Sequence, residues 1–144
     1  MKKTDLAYLA GFFDGEGSIF LTKASRNAGL ELRISISQAN RWICEKYRMA
    51  FGGAIVKDRN SKPDSWKCAG QWRAGANIGL EFLKVVYPYL ILKQAEARIA
   101  IEFQTTKSSR FANSNRVRKL TEEELAVEGA QRILLHTLKD KSKA

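Results

Sequence analysis

Residues that bind transition metals are scarce in this chain of 144 residues. It contains two cysteines, Cys44 and Cys68, which do not form a CxxC pair, and one histidine, His136. This scarcity excludes the usual zinc sites built from Cys and His ligands. We interpret both cysteines as small residues of the core.

Long apolar segments and export signals are also missing. No hydrophobic run approaches the roughly 20 residues needed to cross a bilayer, and the N-terminal segment lacks the cleavage site of a signal peptide. The sequence has no Gly-rich phosphate loop and no Ser/His/Asp constellation. We therefore expect no membrane, no small-molecule substrate and an intracellular location, in an organelle (chloroplast or mitochondrion) or a prokaryotic cytoplasm.

Acidic residues are few compared with basic ones. The chain carries 25 Lys and Arg against 15 Asp and Glu, which gives a formal net charge of +10. Because 44% of the residues are hydrophobic, this charge belongs to a folded domain rather than a disordered one. A polyanion would relieve the self-repulsion of such a domain. Nucleic acid is the expected partner, and a merely basic soluble protein is the alternative.

Hydrophobic periodicity and turn residues predict the element order α-β-β-α-β-β-α-α-α, an α+β domain with helices on one side of four strands. The first predicted helix starts at Asp5 after a Thr4 cap. The second is opened by Asn40 or Gln38 and ends at about residue 51; the others cover 77–86, 90–106 and 121–138, the last beginning with a capping box at Thr121 and Glu124. The predicted strands cover 18–23, 30–37, 54–59 and 65–73. We expect a single domain over residues 1–144. It divides into a core (1–106), a basic loop (107–119) and a C-terminal helix (120–138).

The strands alternate between apolar and polar residues. In the second strand Leu32, Ile34 and Ile36 alternate with polar side chains, which is the period of a sheet with one buried face. The other face would be open and able to contact a polar partner. Its basic members are Arg33, Lys57, Arg59, Lys67 and Arg73.

The most informative stretch is Leu9-Ala10-Gly11-Phe12-Phe13-Asp14-Gly15-Glu16-Gly17. Ala7 and Gly11 lie four residues apart, so one stripe of the predicted helix is almost bare of side chains. A glycine inside a helix costs about 0.5–1 kcal/mol relative to alanine, which suggests that another backbone comes close. Tight packing within the same chain would explain the stripe equally well.

Glu16 follows this helix, at the negative end of the helix dipole. A carboxylate is unfavourable there unless a cation is bound, and carboxylate plus backbone oxygens suit a hard ion such as Mg²⁺. An ordinary solvated acid in a turn is the alternative for these residues alone.

The whole stretch resembles the motif of LAGLIDADG homing endonucleases, position by position, and the single copy resembles the homodimeric branch. The similarity extends over roughly residues 5–105. The segment from Arg41-Trp42 to 56–59 is similar to the family's second helix and third strand, and 88–94 to its lysine-bearing segment. The resemblance implies an αββαββα fold with a four-stranded antiparallel DNA-binding sheet, followed here by additional C-terminal helices.

The family's functional roles map onto individual residues of this chain. The resemblance implies that Glu16, with the carbonyl of Gly15, binds catalytic Mg²⁺ (Mn²⁺ as a substitute), and that Lys93, Gln38 and Arg41 complete the catalytic site. It also implies a dimer interface between two motif helices, at Ala7, Ala10, Gly11 and Asp14. The residues expected to face DNA are Thr22, Arg26, Glu31, Arg33, Ser35, Ser37, Lys57, Arg59, Lys67, Gln71 and Arg73. Loop 107–119 is expected to contact phosphates.

The implied activity is that of an intron-encoded, site-specific endonuclease. A homodimer would cut double-stranded DNA at a long pseudo-palindromic target by metal-dependent phosphodiester hydrolysis and leave short 3′ overhangs. The alternatives are an RNA-binding intron maturase and a DNA-binding protein of the same fold that has lost cleavage. The joint presence of Glu16, Gly15, Lys93 and Gln38 favours the nuclease over the inactive form.

Overall fold

A computed structural model of the chain describes residues 1–24, 29–38, 40–57, 70–112 and 119–142. Its elements are α1 (Lys3–Glu16), β1 (Gly17–Lys23), β2 (Leu30–Gln38), α2 (Arg41–Phe51), β3 (Ala54–Lys57), β4 (Gly70–Gly75), α3 (Ala76–Val86), a 3₁₀ turn (Tyr87–Tyr89), α4 (Gln94–Ala112) and α5 (Glu122–Ser142). This order confirms the predicted sequence of helices and strands.

The four strands form one antiparallel sheet in the order β1-β2-β4-β3. Ile34 and Ile36 of β2 and Trp72 of β4 are fully buried and face the helices. The alternate positions, including Arg33, Ser37 and Arg73, belong to the opposite face. The predicted division into an apolar and a polar face is therefore confirmed for β2 and β4.

Aromatic rings join the sheet to the helix layer around Phe82 of α3. Its ring centroid lies 4.9 Å from Phe13, 4.8 Å from Phe51 and 5.1 Å from Trp72, and all three pairs are edge-on. Such pairs contribute about 0.5–1.5 kcal/mol each beyond the burial of apolar area. The cluster holds α1, α2, α3 and β4 together beneath the C-terminal end of α1.

Local sequence signals set several element boundaries. The Asn40 side chain accepts a hydrogen bond from Trp42 N at 2.9 Å, which caps α2, and Thr121 and Glu124 form the predicted capping box of α5. Gly53 has a φ of +86° between α2 and β3, where a Cβ atom would lie 2.5 Å from the carbonyl oxygen of Arg73. The predicted Thr4 cap is wrong, because α1 begins at Lys3 without a side-chain cap.

The region between α4 and α5 differs from the prediction. Residues 107–112 belong to α4, which begins at Gln94 rather than at residue 90. Lys107 is buried, and its ammonium group pairs with Glu128 at 3.1 Å. Arg110 also pairs with Glu128, at 3.2 Å. The basic loop predicted from residue 107 is therefore wrong as far as Ala112, and its remainder at 113–118 lies outside the described residues.

Helix α5 packs against α4 and against β1, an edge strand of the sheet. Glu128 accepts a hydrogen bond from Leu30 N at 2.8 Å, and further along the helix the Lys139 ammonium lies 5.7 Å from the ring centroid of Phe20. The helix therefore runs along this edge in the direction opposite to β1. Within the described parts of the chain, no helix has the length and apolar character needed to cross a membrane.

Candidate active site and nucleic-acid interface

The C-terminal end of α1 presents a carboxylate to solvent. Glu16 is the last residue of the helix, not the first residue after it, and both Glu16 and Gly15 are exposed. Among the described residues, none donates a hydrogen bond to the Glu16 carboxylate or forms an ion pair with it. An unpaired negative charge at the negative end of a helix is in an unfavourable field, which a bound cation would relieve.

Asp14, two residues earlier, points into the protein. It is 7% exposed, and one carboxylate oxygen accepts hydrogen bonds from the backbone amides of Ile91 and Leu92 at 3.0 and 2.9 Å. The other oxygen accepts the amide of Lys93 at 2.8 Å. Asp14 thus satisfies the free amides just before α4 and clamps segment 91–93 to the end of α1.

The clamp places Lys93 beside the helix end that carries Glu16. The ammonium group of Lys93 donates to the carbonyl oxygen of Asp14 at 2.6 Å. In the first turn of α4, Glu96 is 5% exposed. Burial raises the pKa of Glu96, and the positive charges of Lys139 and Lys93 oppose that rise.

Gln38 and Arg41 lie at the same end of the sheet. Gly17 directly follows Glu16 and pairs with Ile36, so Gln38 lies only about 7 Å further along β2. Gln38 pairs with Gly70, and Arg41 packs its Cγ atom 3.8 Å from where a Cβ of Gly70 would be. The Arg41 guanidinium lies 3.7 Å from Glu45 and is 54% exposed.

One chain supplies little of a complete metal site. No group of three His, Cys, Asp or Glu residues that could hold an ion occurs within the described residues. The available donors are the Glu16 carboxylate and the backbone oxygens at the end of α1, which fit a hard divalent cation rather than zinc. Further ligands would have to come from water, substrate or a second chain.

The predicted dimer-interface residues divide into two groups. Ala7 and Gly11 are exposed on α1, and a Cβ atom at Gly11 or Gly15 would meet nothing within 4 Å. Ala10 is fully buried in the core and Asp14 is occupied by the clamp. Of the four residues predicted for the interface, Ala7 and Gly11 are therefore accessible to a second copy, whereas the Ala10 and Asp14 side chains already contact their own chain.

The polar face of the sheet carries two side-chain networks. The Arg33 guanidinium pairs with Glu31 at 2.6 Å. On β4, Arg73 donates to the Gln71 side-chain oxygen at 2.5 Å, and the Gln71 amide donates to the Ser37 hydroxyl at 2.9 Å. These five residues share the open face as predicted, and the two networks fix two guanidinium groups on it.

Other residues predicted to face DNA are placed differently. Ser35 lies between Ser18 and Arg73 on the polar face but is only 6% exposed, so little of its side chain is accessible to DNA. Thr22 is half-buried opposite Glu31. The structure does not describe the remaining predicted contacts, which are Arg26, Arg59, Lys67 and the side chain of Lys57.

Sequence reasoning missed an exposed apolar pair beside the site. Ile91 is 85% and Leu92 67% exposed, although the Asp14 clamp holds their backbone rigidly. The signal available in the sequence was the apolar run from Leu90 to Leu92 directly before Lys93. Solvent-exposed apolar residues on a fixed backbone are typical of a protein contact surface.

The model of the family described as LAGLIDADG endonuclease matches residues 9–90 of the chain. The chain belongs to the LAGLIDADG endonuclease family. It is similar to the DNA endonuclease I-CreI of Chlamydomonas reinhardtii, with 30% identity over 107 residues that cover 69% of this chain and 62% of the relative. It is also similar to the intron-encoded DNA endonuclease ai2b of Dictyostelium discoideum, with 32% identity over 65 residues, covering 45% of this chain and 25% of the relative. The matches thus span under two thirds of these relatives' lengths.

Solved structures of homing endonucleases share the fold. I-CvuI in complex with its target matches with a TM-score of 0.74 and 17% identity, over 94% of this chain and 82% of that one. The archaeal intron-encoded homing endonuclease I-Vdi141I, complexed with DNA, matches with a TM-score of 0.60 and 16% identity, over 92% and 99%. These matches confirm the predicted α+β architecture of a LAGLIDADG endonuclease.

Proposed function

We propose that this protein is a site-specific double-stranded DNA endonuclease that acts as a homodimer and hydrolyses phosphodiester bonds with bound divalent metal. The observation that carries the proposal is the end of α1, where the exposed Glu16 carboxylate lies beside Lys93, which Asp14 holds in place. Membership of the LAGLIDADG endonuclease family supports the same activity.

The residues at this site have complementary roles in phosphodiester hydrolysis. Glu16 and the Gly15 carbonyl would hold Mg²⁺, which supplies charge neutralisation at the phosphate and an acidified water. Lys93 would stabilise the negative charge that develops on the phosphate oxygens. Gln38 and Arg41, at the adjacent end of the sheet, would orient water and phosphate. The structurally similar I-CvuI was solved with its own target in the presence of 2 mM Ca and with the I-CreI target in the presence of 2 mM Mg, which supports a divalent ion here.

A second copy of the chain would complete the site. The exposed stripe of Ala7, Gly11 and Gly15 leaves room for another helix to approach α1 closely, and the exposed pair Ile91 and Leu92 lies beside the end of that helix. Two copies would bring two Glu16 carboxylates to one axis, one for each DNA strand. The symmetry of such a dimer predicts a pseudo-palindromic target.

The polar face of the sheet is the proposed DNA-binding surface. Arg33 and Arg73 are exposed on it, and arginine forms bidentate hydrogen bonds with guanine in the major groove. Glu31 is suited to a cytosine amino group. The formal charge of +10 supplies attraction to phosphates, so binding should weaken steeply as salt increases.

The test begins with selection of cleaved sites from a randomised duplex library by the purified chain with Mg²⁺. We expect double-strand cuts with short 3′ overhangs at a pseudo-palindrome. Glu16→Gln should bind the recovered site and leave it uncut, whereas Glu81→Gln, the same change at an exposed position on α3, should cut normally. Normal cutting by Glu16→Gln would refute the site. Binding of structured RNA without any duplex cleavage would instead indicate a maturase.

A further inference from the structure

A groove separates the end of the β1–β2 hairpin from the N-terminal half of α5, and none of the proposed catalytic or sheet-face residues lines it. It has a volume of about 510 Å³. The residues that argue for its role are Lys23 at the end of β1, Lys119 before α5, and Gly129 and Arg132 within α5. We call it the hairpin groove.

The hairpin groove is lined by three basic side chains, together with apolar and small residues and one acid. Within the described part of the chain, Lys23, Lys119 and Arg132 have no acidic partner. Glu128, the acid among the described lining residues, is 1% exposed and already accepts hydrogen bonds from Leu30 N and the Lys107 ammonium. The three cations are therefore available to a ligand, unlike Lys107 and Arg110 on α4, which pair with Glu128.

Two glycines line the groove and differ in how closely other atoms surround them. Gly29 has a φ of +78°, and a Cβ atom there would collide with the side chains of Leu120 and Glu128, so the hairpin touches these two side chains at this one residue. Gly129 is different, because a Cβ atom there would meet nothing within 4 Å. A glycine inside a helix is unfavourable, and no packing within the described chain requires this one. Its absent side chain leaves space for an external group to approach the α5 backbone.

The location of the groove suggests what that group is. Lys23 ends the strand that begins directly after Glu16, so the groove lies about 20 Å along β1 from the catalytic end. In a DNA complex with the target along the polar face, this is the outer end of the half-site. The backbone of DNA leaving the target carries closely spaced phosphates there.

We propose that the hairpin groove binds the sugar-phosphate backbone of DNA that flanks the outer end of each half-site. Lys23, Lys119 and Arg132 contact phosphates, and Gly129 allows the DNA backbone to come close to α5. The inference rests on the proposed nuclease function, because it needs duplex DNA along the sheet. It adds an anchoring site that carries no sequence information.

The experiment measures how affinity depends on salt for the full chain and two duplexes. One duplex ends at the edges of the selected target, and the other extends one helical turn beyond each edge. The double variant Lys23→Gln/Arg132→Gln should lower the salt slope on the extended duplex by about 0.9 for each phosphate that the protein no longer neutralises, and should bind this duplex several-fold more weakly. It should match the wild type on the short duplex. Lys84→Gln, an exposed cation on α3, should match the wild type on both.

Gly129→Ala separates a ligand contact from a structural role. The substitution favours the helix, so the urea midpoint of unfolding should rise while affinity for the extended duplex falls. Ala130→Gly, at the neighbouring exposed position, should lower the midpoint without this selective loss of affinity.

Three outcomes would overturn the hairpin-groove proposal. If the double variant shows the wild-type salt slope on the extended duplex, the groove proposal is refuted and the nuclease proposal is unaffected. An equal loss of affinity on both duplexes places the phosphates bound by these cations inside the target rather than on its flanks. If the wild-type chain neither binds nor cuts any duplex, the nuclease proposal and the groove proposal both fail. If the double variant then binds structured RNA more weakly than the wild type does, the groove is assigned to RNA.

Discussion

The carboxylate of Asp14 accepts hydrogen bonds from three consecutive backbone amides, those of Ile91, Leu92 and Lys93. Its neighbour Glu16 has no partner among the described residues. The two acids of one motif therefore have different roles: Asp14 positions Lys93, the lysine of the proposed site, and Glu16 is the acid proposed to bind the cation. This difference follows from helix geometry, because two side chains that are two positions apart in a helix point in different directions.

Replacing Asp14 by Asn should separate positioning from binding. The amide retains one acceptor oxygen but loses the charge, so at least one clamped N–H faces a poor partner. We expect a loss of about 1–3 kcal/mol in the free energy of unfolding and slower cleavage of bound DNA, because Lys93 is no longer fixed. Urea unfolding and single-turnover cleavage measure the two effects. Asp5→Asn, at an exposed position of α1, is the control, and equal behaviour of both variants would disprove the clamp.

The chain of hydrogen bonds from Ser37 through Gln71 to Arg73 orients one guanidinium on the polar face. If Arg73 reads a guanine, correct orientation contributes about 1–3 kcal/mol of discrimination. Gln71→Ala should therefore relax the preference at one position of each half-site while retaining overall affinity, since no charge is removed. Sequencing of sites bound from a randomised half-site library measures this. Thr22→Ala, on the edge strand, should leave that position unchanged, and unchanged selectivity in Gln71→Ala would exclude the relay.

At the scale of elements, the sequence predicted those helix ends and strand faces that interactions between neighbouring residues determine. Three features can be recognised within a few residues of sequence, and the structure confirms them: the Asn40 cap, the capping box of Thr121 and Glu124, and the alternation of β2. Segment 107–112 was mispredicted because the partner of Lys107 and Arg110 is Glu128 on another helix. The role of Asp14 was missed for the same reason, since the amides that donate to it lie 77 to 79 residues away.

The same ion pairs predict how α5 is held on the domain. Glu128 is buried and joins Leu30, Lys107 and Arg110. Glu128→Gln would leave the buried Lys107 charge without its counter-charge, so we expect destabilisation of about 3–5 kcal/mol. Urea unfolding followed by circular dichroism measures it. Glu123→Gln, exposed in the first turn of α5, should change stability little; a similarly small effect at Glu128 would show that the pairs do not hold the helix.

At the scale of the whole molecule, the chain provides one Glu16, whereas the proposed double-strand cleavage needs one such carboxylate for each DNA strand. The resemblance to the homodimeric branch of the family indicated a dimer, and the structure narrowed the surface of α1 that a second copy can reach. Ala7, Gly11 and Gly15 remain accessible there, whereas Ala10 is buried within the chain. An approaching helix could therefore come close only along this narrowed stripe.

Gly11→Leu tests that interface directly, because nothing in the chain lies within 4 Å of a Cβ atom at this position. In an isolated chain the substitution should be neutral or stabilising, since leucine favours a helix more than glycine by roughly 0.5–1 kcal/mol. Across a close helix–helix contact it should separate the two copies. We expect sedimentation to show a shift from dimer to monomer, together with loss of double-strand cleavage. Ala126→Leu, at an exposed position of α5, should remain dimeric and active. A dimer that persists in Gly11→Leu would mean that α1 is not the interface, and the two Glu16 carboxylates would then have no common axis.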